Sequence, residues 1–282
     1  MSDARPEALV DTAWLAEHLH TPNLRIVDGS HHLPTAGRNA RTEYGERHIP
    51  GAVFFDIDAL ADRETDLPHM LPSAEQFARD VGALGIGNDD KVVVYDTIGT
   101  TGAARVWWTF RVFGHRDVAV LDGGLPKWLA EGRPTDTEAV KLSPKSFRAE
   151  KNENLVRSLE QVRRNIDSRR EQVVDARSAG RFAATEPEPR AGMRGGHIPG
   201  SLNVPYPELL ASDRTFRSSE ELRQAFADAG VDLERPITTT CGSGVTAAVL
   251  ALGLYLIGRP DVAVYDGSWS EWGSRQDTPV EP

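Results

Sequence analysis

The chain reads as α/β, two copies of one domain, each a mainly parallel sheet flanked by helices. Three observations carry this reading: a long-period internal repeat, short β-branched runs alternating with helical patterns, and a composition suited to packed cores. Of 282 residues, 39% are apolar by the usual list, with 25 glycines besides, which is ordinary for globular protein. At about 150 residues per domain the length suggests two units.

The repeat is explicit. Arg25-Ile26-Val27-Asp28 returns as Gln172-Val173-Val174-Asp175, and Arg47-His48-Ile49-Pro50-Gly51 returns as Gly196-His197-Ile198-Pro199-Gly200. Val93-Val94-Tyr95-Asp96 aligns with Thr238-Thr239-Thr240-Cys241, and the segment from Leu121 to Trp128 with that from Tyr265 to Trp272. The spacing, about 145 residues, is far beyond a solenoid unit, and the pieces keep their order. Only the second copy holds a cysteine.

Within the first copy, Leu24–Asp28, 52–55, Lys91–Tyr95 and Val118–Leu121 have the β-branched composition of buried parallel strands. Ser73-x-x-Gln76 reads as a capping box opening a helix that Gly85 stops, and Ser158-x-x-Gln161 and Ser218-x-x-Glu221 open comparable helices later. Residues 131–154 mix Gly132, Pro134 and Pro144 with charges and show no period, as expected of a linker lying on the surface. The resulting division is 1–140 for the first copy, 141–155 for the linker and 156–282 for the second copy.

Charge and cysteine count restrict the chemistry. Thirty-two basic against 42 acidic residues give −10, which opposes nonspecific binding to nucleic acid and requires local cations for any anionic substrate. The basic stretch from Arg163 to Arg170 reads as a solvated helix face. One cysteine excludes intrachain disulfides and multi-cysteine zinc or iron–sulfur centres. The longest apolar run, 246–258, falls short of the roughly 18–20 residues needed to cross a bilayer. The first residues show neither a basic n-region nor an apolar h-region, so a cytoplasmic location is expected.

Cys241 ends a strand-like run, and Gly242-Ser243-Gly244 then leads into the apolar helix pattern beginning near Thr246. A strand end, a glycine loop and a helix start form an anion-receiving turn, which favours a thiolate and so a nucleophilic cysteine. A lone cysteine is otherwise a small buried hydrophobe; this context argues for chemistry. Cysteine phosphatases need Cys-x5-Arg, and position 247 is alanine.

Cys241-Gly242-Ser243-Gly244-Val245-Thr246 resembles the active-site loop of the 3-mercaptopyruvate sulfurtransferases of the rhodanese superfamily. His48-Ile49-Pro50-Gly51, Phe54-Phe55-Asp56-Ile57-Asp58, His69-Met70-Leu71-Pro72, Arg105-Val106-Trp107-Trp108, Thr185-Glu186-Pro187-Glu188-Pro189-Arg190 and Tyr265-Asp266-Gly267-Ser268-Trp269 extend the likeness over nearly the whole chain. The resemblance implies tandem rhodanese-like domains with a silent first copy, in which Asp96 takes the cysteine position. It further implies that a Cys241 persulfide carries sulfur to a thiol, such as that of thioredoxin, or to cyanide, with pyruvate released.

By the same resemblance Arg181 and Arg190 hold the substrate's carboxylate and carbonyl, and the loop of Gly242, Gly244, Val245 and Thr246 surrounds it. Ser243 would act with His69 and Asp58 in proton transfer. Simpler roles stand beside these: Glu186 and Glu188 could pair both arginines, His69 could be a hydrogen-bonding loop residue, and Asp58 a helix N-cap. No cofactor and no metal is implied, although His31-His32 is an adjacent pair, and His31 stands where the resembled family commonly has tryptophan. Thiosulfate sulfurtransferases typically follow the cysteine with Arg-Lys; the uncharged Gly242-Ser243 favours mercaptopyruvate. Thiosulfate sulfurtransfer and a non-catalytic sulfur-carrying or docking module are the alternatives. His48 and His197 recur before the Pro-Gly turns, which suggests a role in the fold, and Trp107 and Trp108 read as core.

Overall fold

The β-branched runs form two five-stranded sheets, parallel throughout, in a computed structural model that describes residues 7–282. The first sheet contains β1 (Leu9–Val10), β2 (Leu24–Asp28), β3 (Val53–Phe54), β4 (Lys91–Tyr95) and β5 (Val118–Leu121), in the spatial order β1-β5-β4-β2-β3. The second contains β6 (Val156–Arg157), β7 (Gln172–Asp175), β8 (Leu202–Asn203), β9 (Ile237–Thr240) and β10 (Ala263–Tyr265), in the order β6-β10-β9-β7-β8. The two orders are the same, so the duplication read from sequence is a duplication of topology. Strand β2 pairs with β4 from Leu24↔Lys91 to Asp28↔Tyr95, and β7 with β9 from Gln172↔Ile237 to Asp175↔Thr240. The edge strands β1 and β6, two residues each, carry no periodic signal and were not expected.

Among the described residues ten α-helices cover the sheets: α1 (Thr12–His18), α2 (Ala40–Glu46), α3 (Ala74–Ala83), α4 (Thr101–Val112), α5 (Gly124–Ala130), α6 (Leu159–Ser168), α7 (Ala179–Phe182), α8 (Ser219–Asp228), α9 (Ala247–Leu256) and α10 (Ser268–Trp272). Ser158 and Ser218 close full capping boxes with Gln161 and Glu221. The expected box at Ser73 is only half formed: its hydroxyl accepts from the Gln76 amide, but the Gln76 side chain donates to the Ala61 carbonyl 3.0 Å away. A tertiary acceptor wins over the local one. His48 and His197 do the same work in each copy, each bridging antiparallel to a distant segment, at Asp136 and Glu281, while stacking on Tyr44 and Phe182. Arg163, in the basic stretch, pairs with Asp277 at 3.0 Å on an exposed face.

Helices α4 and α9 follow the equivalent loops of the two copies and pack against each other, joining the two halves. Helix α9 is buried along nearly its whole length, which explains a sequence with no polar face. Across the seam the Trp107 ring meets Tyr255 edge-on at 5.3 Å, and Arg111 stacks on both rings. Trp107 and Trp108 are core, as expected. No helix among the described residues is long and apolar enough to cross a membrane.

Residues 131–154 do not hang free. Lys145 pairs with the buried Asp90 at 2.7 Å, its amide donates to Gly82, and Phe147 packs into the cluster of Phe77 and Phe110. A Cβ on Gly82 would lie 2.4 Å from the Lys145 carbonyl oxygen, so the strap needs glycine beneath it. The segment is a strap bound to the first copy.

Candidate active site

Strand β9 ends at Thr240, and residues 241–246 turn back into α9. Helix α10 clasps this turn from outside: the Trp269 amide donates to the Cys241 carbonyl at 2.9 Å, and the Ser270 amide and hydroxyl donate to the Gly242 carbonyl at 2.8 and 2.7 Å. With the carbonyls tied outward, the amides of Ser243 and Gly244 have no partner among the described residues. Gly244 takes φ +76, and a Cβ there would lie 2.8 Å from an Arg105 nitrogen, so only glycine suits the turn.

The first copy shows what such a turn accepts. At the position equivalent to Cys241, the buried Asp96 carboxylate receives the amides of Ile98 at 2.8 Å, Gly99 at 2.5 Å and Ala103 at 2.8 Å. Ile98 and Gly99 correspond to Ser243 and Gly244. Burial raises the Asp96 pKa, and these amides oppose the rise. The cradle that holds a carboxylate in one copy is therefore open around sulfur in the other.

Cys241, 2% exposed, sits at the floor of a cleft of about 330 Å³ between the copies. Leu33 and Ile98 of the first copy and Pro205 and Tyr206 of the second give it apolar walls. Both arginines proposed from sequence line it, with different partners. Arg181 is engaged by Glu188, at 2.5 and 3.3 Å, and Glu188 also binds the fully buried Arg177, itself paired with Asp175. Glu186 accepts from the Ser178 hydroxyl instead. Arg190 has no ion pair among the described residues; one of its nitrogens approaches His69 Nε2 at 3.3 Å. Burial lowers the Arg190 pKa, an effect opposed by neighbouring Cys241, and an arginine remains charged at neutral pH.

His31, Leu33, Ile98 and Thr101 of the first copy line the cleft, and His69 and Asp58 stand behind it, with His69 in contact with Arg190. His69 is buried, in the left-handed region at φ +63, and its Nδ1 meets Asp58 Oδ1 at 2.7 Å. This hydrogen bond lowers the Asp58 pKa, and with the Asp58 carboxylate accepting from Nδ1, Nε2 is left to accept from Arg190. Asp58 does not cap a helix; Asp56 Oδ1 receives the Ala59 amide instead. Ser243 lines the cleft, and no hydrogen bond joins its hydroxyl to His69. His31 packs edge-on to His69 with centroids 4.4 Å apart, and burial, the largest cause, pushes its pKa down to about 4. Its ring is therefore neutral at physiological pH.

Arg105 was quoted in the sequence only as part of a motif, yet it ties the site together. Its guanidinium pairs with Asp266 at 2.7 Å, donates to the Gly244 carbonyl at 3.2 Å and to the His69 carbonyl, and stacks on Trp108. Asp266 in turn receives the Leu71 amide at 2.8 Å. One buried ion pair thus fixes the cysteine turn of the second copy against the histidine loop of the first. The signal was a single charge inside the apolar stretch Ala103 to Trp108.

Comparison with known proteins agrees with this architecture. The rhodanese-like domain matches twice, over residues 11–131 and 158–275. The human 3-mercaptopyruvate sulfurtransferase is 49% identical over 95% of this chain and 92% of its own length, and the rat thiosulfate sulfurtransferase 51% identical over the same shares. The crystal structure of SseA, a 3-mercaptopyruvate sulfotransferase from Escherichia coli, superposes with a TM-score of 0.85 at 41% identity, covering 93% of this chain and 98% of that one. Two matched halves, one shared strand order and one cysteine turn place this chain in the rhodanese-like domain family, as a tandem member.

Proposed function

We propose that the chain transfers the sulfur of 3-mercaptopyruvate through a Cys241 persulfide to a thiol or to cyanide. The Cys241 thiolate attacks the substrate sulfur and the carbon–sulfur bond breaks. Its electron pair passes to the three-carbon fragment, an enolate that takes one proton to become pyruvate. The sulfur keeps its own hydrogen, as Cys241–S–SH. An acceptor thiolate, from a small thiol or a dithiol protein such as thioredoxin, then removes the outer sulfur and regenerates the Cys241 thiolate.

Sulfur transfer is named for relatives on both sides of the donor question, and their identities of 49% and 51% do not separate the donors. The observation that favours mercaptopyruvate is the charge layout: residues 242–246 are themselves uncharged, the Arg181 guanidinium beside Gly242 is held by Glu188, and Arg190, which has no ion pair among the described residues, contacts His69. Such a layout suits a carboxylate several bonds from the reacting sulfur better than a compact dianion. Ser243 supplies a hydroxyl free to donate to the developing enolate oxygen, while Asp58 and His69 orient Arg190 toward the carboxylate. The test is kcat/KM for mercaptopyruvate and thiosulfate with cyanide as acceptor. Mercaptopyruvate should be preferred; a protein that prefers thiosulfate is a thiosulfate sulfurtransferase and this reading fails.

The two arginines should differ. Arg190→Ala is expected to lower kcat/KM for mercaptopyruvate by about 1.5–3 kcal/mol, roughly 10- to 150-fold, with partial recovery in Arg190→Lys. Arg181→Ala should cost less, because Glu188 already holds that guanidinium. Unchanged steady-state kinetics in Arg190→Ala would remove its assigned role.

A further inference from the structure

We propose that His31, Asp58 and His69 form a binding site for a zinc-like divalent cation on the rim of the active cleft. One nitrogen of each histidine and a carboxylate oxygen lie within 4.8 Å of one another. The His31 Nε2 to Asp58 Oδ2 distance is 3.7 Å, and the His69 Nδ1 to Asp58 Oδ1 distance 2.7 Å. Ligand atoms on a tetrahedral zinc ion stand about 3.4 Å apart. Closure therefore needs the Asp58 carboxylate, whose side chain is 64% exposed, to rotate and give up its present hydrogen bond to His69. Two imidazoles and a carboxylate, with water in the fourth position, are a donor set for zinc or cobalt.

The sequence suggested His31 with His32 as the adjacent pair. The fold separates them: His32 Nε2 is taken by Glu43 at 2.8 Å, and His31 turns to the first copy's other two ligands. A second cleft, of about 390 Å³, is lined by His31 and Asp58 and does not include Cys241. Arg38 and Arg41 border that cleft, and both are neutralised there, by Glu43 and Asp56. Arg190 is the remaining cation at hand, on Nε2 of His69.

That contact makes the site consequential. A cation on His69 Nδ1 displaces its proton to Nε2, which then donates where it had accepted from Arg190. Two donors face each other at 3.3 Å and the contact is lost, so the cation and the present Arg190 arrangement oppose each other.

The test uses Cys241→Ser protein, so that no thiolate competes. Zinc titrated calorimetrically should bind once per chain, and bound cobalt should give the visible bands of a tetrahedral site with no thiolate charge-transfer band. His31→Phe, which keeps the edge-on ring, and Asp58→Asn in the same background should each weaken binding by at least about tenfold. Nitrogen-correlated NMR of the His69 ring should show its proton moving from Nδ1 to Nε2 on saturation. Absence of binding, equal affinity in the His31→Phe protein, or an unmoved His69 proton would overturn the proposal.

Discussion

Cys241→Ser should leave no measurable sulfur transfer from either donor while retaining the folded structure. The hydroxyl is a poor nucleophile at neutral pH and cannot hold a persulfide. The turn survives because its hold on α10 uses backbone carbonyls rather than the sulfur: Trp269 and Ser270 reach the oxygens of Cys241 and Gly242. Mass spectrometry after donor treatment should find one added sulfur atom on the wild type and none on the variant. Activity without Cys241, or an added sulfur elsewhere, would show that another group carries the chemistry.

Arg105→Met should produce the largest loss of stability, about 3–5 kcal/mol by denaturant titration, the usual consequence of removing one partner from a buried ion pair. Asp266 would be left charged and enclosed, and the carbonyls of Gly244 and His69 would each lose a donor. Arg105→Met combined with Asp266→Asn should recover part of the stability, since no unpaired charge remains. Activity should stay low in both, because the histidine loop and the cysteine turn are no longer registered to each other. Wild-type stability in the single variant would mean that solvent reaches this pair.

The parts of this protein that depend on local pattern could be read in advance. The strands Leu24–Asp28, Lys91–Tyr95 and Val118–Leu121 stand where their β-branched runs placed them, since both faces of an enclosed parallel sheet are apolar. The Cys241 turn was visible for the same reason, a strand, two glycines and an apolar helix in succession. What escaped depends on the path of the chain rather than on local pattern. Gln76 had a local role available and took a tertiary one. Arg181 and Arg190 looked alike, and only the path of the chain shows that Glu188 occupies the first and leaves the second to His69. Arg105 and Asp266 are 161 residues apart, with nothing in either neighbourhood to announce the pairing.

The strap bears on how substrate arrives. Its last anchors on the first copy are the Asn152 amide on the Val112 carbonyl and the Trp108 indole on the Leu155 carbonyl, the latter immediately before β6 begins. Only a couple of residues of chain are thus left to act as a hinge, and hinge closure needs positions that can absorb large backbone rotations. With the buried seam of α4 and α9 as its other support, the cleft has little free chain about which to close like a jaw. If Cys241 carries the sulfur as proposed, donor and acceptor use the same opening in turn, and its width rather than a closing motion is expected to limit which sulfur compounds reach the thiol.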